Sequence, residues 1–430
     1  MTSIVAEEYC GTPSKQKHVF ILRNDRLVKF KNGRKRQYGF GSFFNEVFFP
    51  EGYPHSVSKD YLSYQIYDTI QAFCSSVNGT IATQSIMQGL GVGAEATTAL
   101  AATMTWVLKD GMGMIGRIVF AWAQGTDLDC DLKRWRLRAD ILNDVSMFLD
   151  VCSSNFGGFF VHIVCASALL KAIVVIAGLG TRPAIIQHQA RRNNIGDVAA
   201  KDSSQETLVN LAALVTSLVI MPIIAPSKWM SWFAFFLLAA VHIIANYCAV
   251  RSLSLETFNA ARFHVAVKAF MNSGCTNVPS VREVNLREPV VLSLPRRWVL
   301  SIGSRLPKSK LTSQDCATLK DIYEKDLYSL FVDNEKGRIF VFLAPLATQE
   351  DVIRAGFEAE VVGYRLSERK YASMVTFDLM RDVHNELPEL FGRFCKLAKA
   401  EGWDFSRNYL GVKEWKVNWI VPPSGDFVTI

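Results

Sequence analysis

Trp229–Val250 reads WMSWFAFFLLAAVHIIANYCAV, a run with no acid or base except His242. About twenty apolar residues in one helix cross the ~30 Å hydrocarbon core of a bilayer, so this stretch predicts a membrane-spanning helix. In lipid the backbone must satisfy its own hydrogen bonds. Polar side chains inside such spans then become the first candidates for function.

Five further apolar segments precede it. A helix starts near Ser58, after the turn residues Pro50, Gly52 and Pro54, and four more follow at Gly89–Leu108, Met112–Gly125, Phe156–Gly178 and Thr207–Ala225. The chain has 430 residues, 50% hydrophobic and 20% charged, too polar for a wholly embedded bundle and a weak fit to a wholly soluble enzyme. The net charge of +7 is concentrated in an N-terminal arm, residues 1–57, where Lys15, Lys17, Arg23, Arg26, Lys29, Lys31, Arg34, Lys35 and Arg36 crowd ahead of the first apolar segment. A basic segment beside a membrane suggests a cytoplasmic N-terminus touching anionic lipid; nucleic-acid binding is the competing reading, and the less common one. The nine cysteines form no CxxC and no Cys/His cluster, which supports neither a disulfide scaffold nor a zinc or other metal site. No cleavable signal peptide is expected, because the basic first forty residues lack an apolar core.

The first helix is striped. Tyr64, Asp68, Gln71, Ser75 and Asn78 recur at steps of four, three, four and three, which places them on one helical face. A structural seam between helices would need such a face, but intramembrane ionisable groups are costly and commonly functional, so a ligand or proton path is the favoured reading. Asn78-Gly79-Thr80 fits the glycosylation pattern and is discounted inside a span. Gly111-Met112-Gly113-Met114-Ile115-Gly116 matches GxGxxG without the preceding strand that a dinucleotide site needs. Lys109, Asp110, Gly113 and Arg117, set between the second and third apolar segments, resemble in part the Asp-Arg-x-Gly loop of major facilitator transporters, where an aspartate latches one conformation. A tight helix-turn-helix whose glycines let backbones approach is the equal alternative. In the expected loop 181–206, His188, Arg191, Arg192, Asp197 and Lys201 could hold an anion, and a solvated loop of mixed charge fits them as well. DLKRWRLRAD, from Asp131, reads as an interfacial amphipathic helix.

From about Arg251 the chain reads as soluble: a linker over 255–310, then a small α+β domain over 311–430. KDLYSLFVDNEKGRIFVFLAP predicts a hairpin, with a helix over Gln349–Gly356, a strand near Glu358–Tyr364, a helix over Leu387–Glu401 and a last strand over Trp415–Val421. No Ser/His/Asp or Cys/His arrangement can be argued from spacing, so the chain is expected not to be an enzyme and to carry no cofactor.

PEGYPHSVSKDYLSYQIYDTIQAFCSSVNGTIATQ, TWVLKDGMGMIGRIVFAW, DLKRWRLRADILNDV and TRPAIIQHQARRNNIGDVAAKDSSQET resemble the signature blocks of the root UV-B sensitive (RUS) family. The resemblance covers roughly Phe40–Ser254 well and the C-terminal region more loosely. It implies a eukaryotic membrane-associated protein, of the animal type in its short arm. Plant members are tied to plastids, UV-B responses, auxin transport and pyridoxal-phosphate homeostasis, while this chain shows no plastid transit peptide. The family brings no established catalytic residue. The expected architecture is therefore a mostly α, transporter-like polytopic membrane domain of about six apolar helices over 58–254, followed by the α+β domain. It is expected in an intracellular membrane, with the lipid bilayer as partner, as a homodimer or RUS-family heteromer, and without nucleic acid. The function expected is binding or transport of a small polar metabolite; the alternative is a non-transporting membrane scaffold that recruits protein partners.

Overall fold

Apolar periodicity, turns and capping residues set the element boundaries in the computed structural model, which describes all residues except 1–3, 11–14, 24–25, 31–46, 92–98, 126–127, 292–295, 308–310, 369–375 and 420–430. The chain divides into two units: residues 1–125 with 135–253, and residues 126–134 with 254–430.

The first unit opens with strands β1 (Ile4–Cys10), β2 (Lys15–Arg23) and β3 (Arg26–Phe30), an antiparallel sheet in that order. Lys15, Lys17, Arg23, Arg26 and Lys29 of the basic arm lie on β2 and β3; Lys31, Arg34, Lys35 and Arg36 fall outside the described residues. Six long helices follow among the described residues: α1 (Tyr61–Gly89), α2 (Ala99–Gln124), α3 (Leu132–Ser153, its first turn assigned to the second unit), α4 (Phe160–Gln189), α5 (Ile195–Ile224) and α6 (Lys228–Ser252). α1 packs on α5 and α6, and α2 packs on α4. Small residues line the contacts, among them the buried Ala168, Ala172, Ala213 and Ala249. A Cβ on Gly116 would come within 2.9 Å of the Ala172 Cβ, so this glycine lets α2 lie against α4. Large apolar side chains instead face outward, with Trp122 86% and Leu218 70% exposed. A bundle with small residues inside and large apolar ones outside suits a lipid surround.

Among the described residues three helices, not six, are long and apolar enough to cross a membrane: the stretches Gly157–Gln189, Ile195–Ile224 and Lys228–Ser252. The expected count is corrected for two reasons. The segments Gly89–Leu108 and Met112–Gly125 share one continuous helix, α2, because Lys109-Asp110-Gly111 does not break it. The polar stripe of α1, and Lys109, Asp110 and Arg117 within α2, remove those two helices from the apolar class. The loop expected over 181–206 shrinks to a connection of a few residues, since α4 runs on to Gln189 and α5 begins at Ile195.

The second unit holds β4 (Thr257–Asn259), α7 (Ala260–Asn272), α8 (Val281–Arg287), β5 (Val299–Ile302), α9 (Ser313–Ile322), β6 (Tyr328–Asp333), β7 (Arg338–Leu343), α10 (Gln349–Ser367), α11 (Thr376–Ala400) and β8 (Asp404–Tyr409). The hairpin β6–β7 forms as expected, its turn closed by Gly337 at φ +61°. β5 joins β7 in parallel, and β4 pairs with β8. Thr312 with Asp315 and Thr348 with Asp351 form capping boxes that start α9 and α10. The described residues of the 255–310 stretch are folded rather than a linker: Phe258, Phe263 and Phe270 share one core with Phe357 and Phe394, and Phe258 stacks on Trp403 at 4.1 Å. The strand expected near Glu358–Tyr364 is the second half of α10, whose Phe357–Val362 run is buried on every side and so carries no readable period. At the last expected strand, Lys416 forms an isolated bridge with Leu343.

Candidate functional site

The stripe of α1 meets a second polar stripe on α3, where Arg136, Asp140 and Asp144 recur every four residues and Asn143 and Asp150 lie two turns apart. Asp68 pairs with Arg136 at 3.2 Å and accepts from Gln71 Nε2 at 3.2 Å. Gln71 Oε1 faces His242 Nε2 at 3.0 Å, and His242 Nδ1 meets Asp144 Oδ2 at 2.8 Å. Asp140 stands 4.0 Å from His242 Nε2. One turn on, Asn143 donates to Ser75 Oγ at 2.9 Å; Asn78 donates to the Phe235 carbonyl at 3.2 Å, leaving its own buried oxygen without a partner. Further along α3, the fully buried Asp150 pairs with Lys171 of α4, and Ser167 donates to the Ser146 carbonyl at 3.0 Å. From Arg136 to Asp150 the seam covers about 21 Å at 1.5 Å per residue.

At its Arg136 end the seam opens into a cavity of about 290 Å³. Tyr64, Asp68 and Gln71 line one wall, Arg136 another, and Arg182 of α4 with Asp202 and Glu206 of α5 the third. Arg182 Nη2 lies 2.6 Å from Asp202 and Nη1 lies 2.9 Å from Glu206; Gln65 donates to Asp202 at 3.2 Å. Two guanidiniums and three carboxylates thus face one small space beside apolar Val175 and Leu179. Such a lining offers donors and acceptors to a polar or zwitterionic molecule, because each wall ion pair can exchange a partner for the ligand. Among the described residues, no group of three or more His, Cys, Asp or Glu is placed to hold a metal ion.

Of the stripe residues, Tyr64, Asp68 and Gln71 reach the cavity, while Ser75 and Asn78 bind neighbouring helices instead. The other two constellations do not assemble. Lys109, Asp110, Gly113 and Arg117 lie within α2 and not in a loop. Asp110 and Arg117 are exposed with no ion pair between them, and Gly113 and Gly116 face Ala168, Leu169 and Ala172 of α4. His188 pairs with Asp60 at 2.8 Å, and Asp197 accepts from the Glu51 N–H at 2.7 Å, so these two residues serve separate contacts rather than one anion. Arg191 and Arg192 occupy the α4–α5 connection, and Lys201 lies in α5. Arg136, Asp140, Asp144, Arg182, Asp202 and Glu206 were not expected at a site. The four-residue step from Arg136 through Asp140 to Asp144 was the available signal, masked by the basic cluster that made the segment look interfacial.

The second unit holds a separate closed cluster. Glu358, fully buried, accepts from Tyr323 Oη at 2.9 Å and Tyr328 Oη at 2.7 Å, and faces His384 Nδ1 at 3.2 Å. His384 Nε2 reaches Asp326 at 3.3 Å. Asp326 and then Glu358 push the His384 imidazole up to about 9, against its burial. Burial and Glu358 hold both tyrosine hydroxyls above their ordinary range.

Residues 34–274 match the family model described as the vitamin B6 photo-protection and homoeostasis domain, and residues 277–419 match the root UVB sensitive protein C-terminal model. The chain belongs to the root UVB sensitive (RUS) family. It is similar to root UVB sensitive 3 of Arabidopsis thaliana, 30% identical over 87% of this chain and 86% of that protein. RUS family member 1 of Dictyostelium discoideum is 41% identical over 63% of this chain, a match that spans 52% of that longer relative. Root UVB sensitive 2, chloroplastic, of Arabidopsis thaliana is 28% identical over 84% of the chain. No solved structure matches. The first RUS model runs past the division between the two units at Leu253 and takes in β4 and α7 of the second unit.

Proposed function

We propose that the helical unit binds a small polar metabolite in the cavity between Asp68, Arg136 and Arg182, and that the seam along α3 serves its passage, or that of a coupled proton, across a membrane. The observation that carries this reading is a charged cavity continuous with a buried run of titratable side chains inside a unit whose outer surface is apolar. The family model's description makes B6 vitamers the first ligands to test. Three apolar helices are few for a transporter, so a homodimer or a RUS-family heteromer would complete the path.

The test is thermal stability of the detergent-purified protein against pyridoxal, pyridoxine, pyridoxal phosphate and amino acids, followed by flux in proteoliposomes. A ligand present at about a hundred times its Kd should stabilise the native state by about 2.7 kcal/mol. The stabilisation should vanish in Asp68→Asn and Arg136→Gln. A well-folded protein indifferent to the whole panel, with recruitment of protein partners unchanged in Asp68→Asn, would turn the reading to a membrane scaffold.

A further inference from the structure

The second unit contains a cavity of about 420 Å³, larger than the one in the helical unit. α7 contributes His264, Lys268 and Asn272, spaced by four so that they share one face. α10 contributes Glu360, Gly363 and Tyr364, and the segment entering β5 contributes Arg296, Arg297 and Trp298. At the back, Glu360 accepts from His264 Nδ1 at 2.7 Å and lies 3.9 Å from Arg296 Nη1, so one carboxylate serves both side chains. Arg296 also donates to the Ala260 carbonyl at 2.8 Å, which fixes its guanidinium in the wall. At the mouth, Lys268 and Arg297 are exposed and carry no ion pair or hydrogen bond among the described residues. Glu368 is the other acid of the lining, so cations outnumber acids.

The floor is aromatic, and its geometry is specific. Trp298 lies against Gly363, where a Cβ would stand 3.3 Å from the Trp298 side chain; glycine lets the indole settle onto α10. The Trp298 Nε1 is buried with no acceptor among the described residues. A buried N–H without a partner is rare in folded proteins, and an oxygen arriving from outside is what this one lacks. Burial holds the Arg296 guanidinium below its usual range, with Glu360 opposing and Arg134 adding to the effect, so an added anion would be welcome there.

We infer that this cavity binds a small phosphomonoester that carries a planar ring, with the ring on the Trp298 and Tyr364 side and the phosphate at Lys268, Arg296 and Arg297. The volume suits one small molecule rather than a polymer, and a concave wall of arginines is the arrangement that holds a phosphate by several charge-assisted bonds. A solvated basic rim would explain Lys268 and Arg297, yet not the orphaned indole N–H or the glycine beneath it. The inference concerns a different unit from the metabolite cavity and stands or falls separately.

The test is a titration of the full-length detergent-purified protein with adenosine 5′-monophosphate, with inorganic phosphate and adenosine as the half-ligand probes. Saturable binding of the monophosphate, tighter than either half, is expected. Lys268→Gln/Arg297→Gln should weaken it roughly tenfold or more without lowering the melting temperature, since both side chains are exposed. Trp298→Phe keeps the ring, removes the N–H and should weaken it less. Asp68→Asn should leave it unchanged. Absence of saturable binding would overturn the inference, as would equal binding by the double variant. Loss of affinity for phosphatidylserine vesicles in that variant, with no monophosphate binding by the wild type, would make the basic rim a membrane-surface contact instead.

Discussion

Replacing His384 by glutamine should change how the second unit responds to pH. His384 lies between Asp326 and Glu358 and is 17% exposed, and these two carboxylates raise its proton affinity from the ordinary 6.5 to about 9. A group whose folded pKa is raised contributes stability that is fully present below its unfolded value and is lost as pH rises through the folded one. The contribution is therefore intact below pH 6.5 and gone above about pH 9. At 1.36 kcal/mol per pKa unit the full swing is about 3 kcal/mol, and water reaching the partly exposed ring screens it to about 2 kcal/mol. Asp326, shifted downward by its bond to His384, acts in the opposite direction, and its share is lost only as pH falls through the acid range. The tyrosine hydroxyls on Glu358 are raised above their usual values and stay protonated across the window. Hydrogen exchange of α10 and α11 amides in the full-length protein, corrected for intrinsic rates, reports the opening free energy of this unit at each pH. Wild type should lose about 2 kcal/mol more than His384→Gln between pH 6.5 and 9.5. Parallel profiles for the two proteins would refute the reasoning and leave His384 a neutral packing residue.

Other expectations follow from single contacts. Lys133 is buried, 3.1 Å from Glu288 and 2.8 Å from Asn285, so Lys133→Met should cost the second unit about 3–5 kcal/mol in denaturant unfolding. Glu288 is held down to about 2 by Arg262 and Lys133 despite its burial; its contribution is present above pH 4.5 and is lost as acid approaches pH 2, an effect that Glu288→Gln should abolish in acid titration. Gly116→Val should force α2 off Ala172 and Leu169 and cost about 1–3 kcal/mol in detergent thermal melts, whereas Gly111→Ala, with nothing near its Cβ position, should be neutral or slightly stabilising.

Much of the helical unit was legible without coordinates. The cores of α4, α5 and α6 are long apolar runs, broken in α4 by Lys171 and in α6 by His242, and the α1 stripe follows helical spacing, so local composition and periodicity carry both. The hairpin β6–β7 shows in the same way, through alternating residues around a turn that ends in glycine. Where side chains are buried all round, as along Phe357–Val362, no period survives to distinguish helix from strand.

Residue order alone therefore settles which segments are apolar, which faces are polar, and which family these blocks resemble. What those faces meet is settled by how the chain packs. Asp68 could be placed on a helix face from its spacing, but that Arg136 answers it, and that His242 joins Gln71 to Asp144, depends on contacts between residues up to 171 positions apart. Such pairings depend on how helices pack, and local spacing carries no information about them. The same holds in the second unit, where a stretch read as a linker supplies Phe258, Phe263 and Arg296 to a core and a cavity formed with a distant helix.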